Sequence, residues 1–160
     1  MKKNTTKQNS IDIINILKEK NQTISFAESC TGGRIASEFT AISGASAVLN
    51  GSCVTYSNEI KSKWLGVSEE TLMEHGAVSK ECVEEMLKGI AKLANADYTI
   101  AVSGIAGPTG GTDEKPVGTV YIGILNQTNI IIERHLFKGE RESVQLQATD
   151  TAIALLKKNL

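Results

Sequence analysis

The feature that most constrains the fold is an apolar run followed at once by a glycine-rich turn and a helical pattern. The run covers residues 23–26, and the turn, AESCTGGR, covers residues 27–34. Adjacent glycines are poor helix formers, but they let another group approach the backbone closely. The first N–H groups of a helix have no internal partner and favour negative charge. The pattern therefore predicts a strand, a tight turn and a helix start that bind an anion or an oxygen that becomes one.

The turn also carries a candidate nucleophile. Ser29 comes just before the free N–H groups that we expect at Cys30, Thr31, Gly32 and Gly33. These groups are candidates for binding an oxyanion or a phosphate. The thiol of Cys30 is an alternative nucleophile, although buried thiols are common and usually inert.

Strands alternate with helices along the rest of the chain. Residues 48–56 and 98–102 are predicted as strands, and residues 117–137 as a hairpin, with helices between and after them. This order is typical of an α/β domain with helices on both faces of a mostly parallel sheet. We predict a single domain over residues 10–160, whose first helix is capped by Ser10, after a flexible polar tail over residues 1–9.

Three strands end in unusual loops, which contain Ser29, residues 56–61 and residues 103–112. The carboxyl ends of parallel strands lie at one edge of a sheet, where ligands bind. The three loops are therefore expected to form one site, to which the second contributes Tyr56, Asn58 and Lys61.

A serine hydroxyl needs a base to become a good nucleophile. The two histidines have simpler explanations, His75 as the end of a helix and His135 as part of a strand, so a Ser-His-Asp triad has little support. A neutral lysine is a capable base when burial lowers its pKa. Lys61 is the candidate, with Tyr56 as a proton relay or a group that holds the amine; a solvated helix lysine is the alternative.

The loop SGIAGPTGGT (residues 103–112) can bind phosphate or an oxyanion through its backbone N–H groups, or be a surface loop. It lacks the order of glycines found in a phosphate-binding loop. Arg141 could bind a phosphate or form a surface ion pair. The candidate binding residues in the loop are Ser103, Gly104, Gly107, Thr109 and Gly110.

Composition limits the partners. The 17 basic and 18 acidic residues nearly balance, and only 4% of residues are aromatic, so neither nucleic acid nor an anionic membrane is expected as a partner. No apolar run reaches the roughly 20 residues needed to cross a bilayer. The three cysteines form no C-x-x-C pair, which predicts neither disulfides nor a zinc site and favours the cytoplasm.

Five motifs, which occur in order, resemble those of the CinA C-terminal domain family. The similarity covers about residues 10–157, nearly the whole chain. The motifs are AESCTGG (27–33), VTYSNEIK (54–61), HGAVS (75–79), SGIAGPTGG (103–111) and KPVGTV (115–120).

The resemblance implies a three-layer αβα sandwich with a mixed, mostly parallel sheet. It also implies hydrolysis of nicotinamide mononucleotide to nicotinate mononucleotide and ammonia, without a metal or other cofactor. Carried onto this sequence, it makes Ser29 the nucleophile, Lys61 the base and Tyr56 a helper.

Three alternatives remain open at this point. They are a nucleotide-binding module without catalysis, an amidase for another small amide, and a structural partner in DNA uptake. A homodimer is plausible because closed two-fold assemblies are the commonest.

Overall fold

The computed structural model describes residues 2–160, with side chains from Thr5 onward. The helices are α1 (Lys2–Lys20), α2 (Arg34–Thr40), α3 (Asn58–Leu65), α4 (Glu69–His75), α5 (Lys80–Ala94) and α6 (Arg141–Lys158). The strands are β1 (Ile24–Glu28), β2 (Leu49–Val54), β3 (Tyr98–Gly104), β4 (Thr119–Asn126) and β5 (Asn129–Leu136). A short 3₁₀ turn at Ala45–Ala47 precedes β2.

The five strands form one mixed sheet in the order β2-β1-β3-β4-β5. The strands β2, β1 and β3 are parallel, whereas β4 is antiparallel to both of its neighbours. Four strands therefore point in the same direction, and the hairpin β4–β5 completes the sheet. This is the mixed, mostly parallel arrangement that the sequence predicts.

Helices cover both faces of the sheet. On one face α1, α2 and α6 pack against one another and against β1, β3 and β4, and on the other α5 crosses all five strands and contacts α3 and α4. Each face has its own buried apolar cluster. The predicted three-layer αβα architecture is therefore confirmed.

The helix α5 shows how local sequence sets these elements. The Ser79 hydroxyl accepts a hydrogen bond from the Cys82 N–H and caps the start of the helix. Asn95 ends it in a left-handed conformation, with φ 49°. One helical face places Val83, Met86, Leu87 and Ile90 in the core, and all four are buried.

The first helix begins earlier than predicted. Residues 2–9, predicted as a flexible tail, belong to α1, and the Ser10 hydroxyl donates to the Thr6 carbonyl within the helix instead of capping its start. These first turns of α1 are stabilised by tertiary contacts with α6. The Thr6 hydroxyl donates to Asp150, and the Lys157 amine donates to the Asn9 side chain. Met1 lies outside the described residues.

None of the described helices is both long and apolar enough to cross a membrane.

Candidate active site

The carboxyl ends of β1, β2 and β3 meet at one edge of the sheet, as predicted, and a cavity of about 260 Å³ lies there. Eleven of the predicted site residues line it. They are Ser29, Cys30, Tyr56, Asn58, Lys61, Ser103, Gly104, Gly107, Thr109, Gly110 and Arg141. The segment after β3, which includes Ile105, and the segment after α4, which includes Val78, complete the wall.

The side chains of Ser29 and Lys61 are in direct contact. The distance between Lys61 Nζ and Ser29 Oγ is 3.1 Å, although the two residues are 32 positions apart in the chain. Both are buried, with 7% of Ser29 and 2% of Lys61 exposed. The Ser57 hydroxyl caps α3 and places Lys61 in its first turns, so the side chain extends back towards the end of β1.

The amine of Lys61 is surrounded by neutral acceptors. It donates to the Thr55 carbonyl at 2.8 Å and to the Tyr56 carbonyl at 3.3 Å. Burial lowers the pKa of Lys61 below its usual 10.5, and the nearby thiols of Cys82 and Cys30 act weakly in the opposite direction. None of the ion pairs found in the described structure includes Lys61. Burial therefore makes the neutral amine, which is the form that can accept a proton, more accessible than it is for a lysine in water.

The thiol of Cys30 is a poor alternative nucleophile. Cys30 is 4% exposed, and burial raises its pKa to about 12. Burial also raises the pKa of Cys82 to about 11. Because the thiolate is the reactive form, both cysteines are inert near neutral pH.

A residue with no predicted role, Glu28, holds the glycine turn in place. Its fully buried carboxylate accepts from the Thr31 hydroxyl at 2.7 Å and from the N–H groups of Gly33, Ile35 and Ala36 at 3.0–3.2 Å. The chain thus places its own carboxylate at the start of α2, where the helix dipole favours negative charge. The sequence signal was an acidic residue directly after a short apolar run and just before the glycine pair.

This arrangement changes the expected role of part of the turn. Thr31, Gly32 and Gly33 do not line the cavity. The Gly33 N–H is taken by Glu28 and the Gly32 N–H by the Ser29 carbonyl, so neither can bind a ligand anion. In the described structure, the N–H groups of Cys30 and Thr31 donate to no other residue. Of these two residues, only Cys30 lines the cavity.

Arg141 joins two walls of the cavity from the start of α6. Its guanidinium donates to the Gly107 carbonyl at 2.7 Å and to the Tyr56 hydroxyl at 2.8 Å. It makes no surface ion pair with any residue that the structure describes. The Tyr56 ring is 62% exposed, and its hydroxyl contacts Arg141, whereas Lys61 reaches Ser29 directly. The Tyr56 hydroxyl is therefore placed to orient the arginine and does not bridge serine and lysine, whereas the Tyr56 backbone carbonyl holds the Lys61 amine, which was the alternative role predicted for this residue.

Neither histidine lines this cavity. His75 ends α4 beside Glu74 and Glu81, and His135 on β5 contacts Glu133 at 2.8 Å. The basic side chain that contacts Ser29 is accordingly a lysine and not a histidine. Within residues 5–160, no three His, Cys, Asp or Glu side chains are grouped so that they could hold a metal ion.

Known proteins with similar sequences align with nearly all of this chain. A CinA-like protein of Endomicrobium trichonymphae is 50% identical over 145 residues, which cover 91% of this chain and 34% of that protein. A putative competence-damage inducible protein of Clostridium beijerinckii is 51% identical over 148 residues, 92% of this chain and 36% of that protein. The chain thus spans about a third of the length of these relatives.

Solved structures of similar length share the whole fold. A CinA superfamily protein from Klebsiella pneumoniae 700603 superimposes with a TM-score of 0.92 and 40% identity over 96% of both chains. One from Escherichia coli superimposes with a TM-score of 0.94 and 32% identity, over 97% of this chain and 90% of that one. The model of the CinA C-terminal domain matches residues 6–160, and the chain belongs to that family.

Proposed function

We propose that this chain is an amidohydrolase that converts nicotinamide mononucleotide to nicotinate mononucleotide and ammonia through a serine–lysine acyl-enzyme. The observation that carries the proposal is the 3.1 Å contact between Ser29 Oγ and the buried Lys61 amine. The family motifs that contain both residues are intact in this chain. The identity of the proposed substrate comes from the resemblance described above. Such a reaction serves the recycling of pyridine nucleotides.

In the first step, neutral Lys61 takes the proton from the Ser29 hydroxyl. Ser29 Oγ then forms a bond to the carboxamide carbon, and the electron pair of the C=O bond moves to its oxygen. The Cys30 N–H is the oxyanion donor that we propose, since it lies beside the nucleophile and bonds no other residue of the described chain. Losing one such donor typically costs about 3 kcal/mol of barrier.

In the second step, the Lys61 ammonium gives its proton to the amide nitrogen, the C–N bond breaks, and ammonia leaves. Water then attacks the ester on Ser29, with neutral Lys61 as the base. The C–Oγ bond breaks, Ser29 regains a proton, and the nucleotide acid is released. One amine thus serves as base and acid in turn, as histidine does in other hydrolases.

The other end of the cavity is suited to the phosphate of the substrate. Arg141 has five N–H donors, of which the Gly107 carbonyl and the Tyr56 hydroxyl engage two. Thr109 and Gly110 lie on the same wall. We assign the phosphate to Arg141 and this loop, and the oxyanion to the Ser29 turn.

The test is single-turnover kinetics with ammonia detection. We expect Ser29→Ala and Lys61→Met each to lower the rate by about 10³-fold or more, because members of a nucleophile–base pair act as a unit. Lys63→Met, which changes an exposed lysine on the same helix, is the matched control and should keep full activity. Near-normal activity in either site variant would remove that residue from the mechanism.

A nucleotide-binding module without catalysis is the second candidate, and the Arg141 wall of the cavity favours it. Calorimetry that detects binding of the mononucleotide, with no ammonia released over hours, would select it. Comparison with free nicotinamide tests whether another small amide is the substrate, since only the mononucleotide carries a phosphate for Arg141.

We also propose that the protein acts in the cytoplasm and forms a homodimer. The three cysteines are unpaired, as expected in a reducing compartment. Closed two-fold dimers are the commonest assembly of soluble proteins. Sedimentation equilibrium would show a particle of twice 17.1 kDa if the dimer forms.

A further inference from the structure

The carbonyl of Cys30 is held by a side chain from the other end of the chain. Gln145 Nε2, on α6, donates to Cys30 O at 3.0 Å across 115 positions of sequence. This carbonyl belongs to the peptide unit that joins Cys30 to Thr31, the second peptide after Ser29. No part of the proposed mechanism uses Gln145.

The start of the turn is held by the neighbouring strands, since the Ser29 N–H donates to the Val102 carbonyl at 3.0 Å and the Glu28 carbonyl accepts from the Thr55 N–H at 2.9 Å. The remainder of the turn is held by local contacts. The Ser29 carbonyl accepts from the Gly32 N–H at 3.0 Å, and the Thr31 carbonyl accepts from Arg34. Within the described structure, Gln145 is the only side chain distant in sequence that bonds the backbone of this turn. Cys30 is buried, so water is a poor substitute for the amide as a partner for its carbonyl.

The turn needs such a contact because its glycines permit other conformations. Gly32 and Gly33 have φ values of 60° and 96°, and glycine crosses these regions of backbone space at little cost. A peptide unit is planar, so a hydrogen bond that fixes the Cys30 C=O also fixes the Thr31 N–H. The Cys30–Thr31 peptide shares the Cys30 Cα with the Ser29–Cys30 peptide, so Gln145 also limits the rotation of the Cys30 N–H next to Ser29.

The position of Gln145 on α6 is consistent with this role. It lies four residues after Arg141, so the two side chains share one face of the helix. Arg141 on that face reaches the cavity, where it bonds Gly107 and Tyr56. One face of α6 thus contacts the cavity through Arg141 and the turn after Ser29 through Gln145.

We propose that Gln145 is a positioning residue that holds the Cys30–Thr31 peptide and so keeps the Ser29 hydroxyl and its neighbouring N–H groups in reactive geometry. The proposal rests on Ser29 being the nucleophile, as in the proposed function, but not on the identity of the substrate. It predicts an effect on acylation of Ser29 and none on binding of the nucleotide.

The experiment compares two substitutions that retain the length of the side chain. Gln145→Met removes the donor. Gln145→Glu keeps the shape but places an acceptor against the Cys30 carbonyl. Gln147→Met is the matched control, because Gln147 lies on the same helix and bonds only Lys138 and Ser143.

The main readout is the second-order rate constant for labelling of Ser29 by a fluorophosphonate, followed by mass spectrometry. We expect Gln145→Met to lower it by about tenfold, the rate equivalent of one hydrogen bond, and Gln145→Glu to lower it further. Gln147→Met should label at the wild-type rate. With nicotinamide mononucleotide, kcat should fall in parallel while KM stays within about twofold. Circular dichroism at the assay temperature verifies that each variant is folded.

Wild-type labelling in Gln145→Met would overturn the proposal. Wild-type labelling in Gln145→Glu would also overturn it, even if Gln145→Met labels slowly. Glutamate keeps the shape of glutamine but not its donor, so that result would mean that Gln145 acts by packing and not through its hydrogen bond. Failure of the wild type to label at Ser29 would overturn the nucleophile and Gln145's role together. If the expected labelling order is seen but no variant releases ammonia, the positioning role stands and the proposed substrate falls.

Discussion

Lys61 is a basic side chain removed from water, with three oxygen atoms around its amine. Removal from water is unfavourable for the charged form, and no carboxylate of the described structure pairs with it to compensate. The residue is therefore costly as a structural element. Its burial makes sense where the neutral amine is needed.

We expect activity to depend on the protonation of this amine. Only the neutral form can take the Ser29 proton, so kcat/KM should rise with pH and level off above the pKa of Lys61. Because burial lowers that pKa, the midpoint should lie below the ordinary value of 10.5. A pH–rate profile from about pH 6 to pH 10 measures it; a midpoint at or above 10.5 would contradict the prediction.

Stability gives an independent measure of the same shift. Between the lowered pKa and 10.5, Lys61 binds more protons in the unfolded chain than in the folded one, so its contribution to the free energy of unfolding rises with pH in that window. The raised pKa values of Cys30 and Cys82 act in the opposite direction at alkaline pH. The measurement is therefore the difference in the free energy of unfolding between the wild type and Lys61→Met in urea titrations, and this difference should rise with pH. Equal slopes in the two proteins would show that the pKa of Lys61 is not shifted.

At this scale the sequence identified the residue types but not their contacts. Ser29 and Lys61 could be selected because each follows a strand of a parallel sheet. Glu28 and Gln145 could not, since their roles depend on hydrogen bonds that no sequence spacing shows. The direction of the Tyr56 hydroxyl could not be predicted either, because it is set by Arg141 on a helix distant in sequence. For that reason the sequence could not show whether Tyr56 acts as a proton relay.

At the scale of secondary structure elements, the position of α3 decides whether Lys61 reaches Ser29. The last residue of α3, Leu65, packs against Gly89 of α5. A Cβ added to Gly89 would lie 2.7 Å from the Leu65 carbonyl carbon and closer still to its oxygen. No side chain fits there without moving α3. Gly89 thus permits the close contact that sets the depth of the lysine in the site.

We expect Gly89→Ala to destabilise the fold and to lower activity. Alanine improves helix propensity by about 1 kcal/mol, but overpacking against backbone costs about 1–3 kcal/mol, so the clash should dominate. The displaced α3 should also separate Lys61 from Ser29 and reduce kcat. Urea unfolding and ammonia release measure the two effects.

The control is Lys92→Ala, at an exposed position of the same helix, which should stay within about 0.5 kcal/mol of the wild type. A Gly89→Ala protein that is more stable and fully active would show that α3 adapts freely.

Elements with local signals were predicted well. Ser68 and Ser79 cap α4 and α5, and such caps can be read from sequence because they need only a side-chain oxygen and the N–H groups two or three residues on. The start of α1 was predicted wrongly, because its first turns are held by Asp150 and Lys157 of α6. Contacts of that range leave no periodic pattern in the sequence.

At the scale of the whole molecule, this chain supplies fifteen residues that line the cavity and spans about a third of the length of its long relatives. Its charge is nearly balanced, with a formal net charge of −1. Binding to DNA relies on basic residues that displace counterions from phosphate groups. The surface gives little basis for that kind of partner.

We therefore expect no retention of DNA in a filter-binding assay at low salt, with a basic DNA-binding protein as the positive control. Retention that falls steeply with added salt would contradict this expectation and favour the role in DNA uptake. A role of that kind would then need a basic surface that net charge alone does not reveal.

The location of α6 has a consequence for synthesis of the protein. The helix is 18 residues long and follows all five strands, yet it supplies both Arg141 and Gln145 to a site whose serine and lysine are translated much earlier. A nascent chain whose α6 is still inside the ribosome has the Ser29 hydroxyl but neither the guanidinium nor the amide that contacts the site. Under the proposed function, we expect hydrolysis to begin only after α6 has been made and has packed, and a nonsense mutation before residue 141 to yield an inactive fragment.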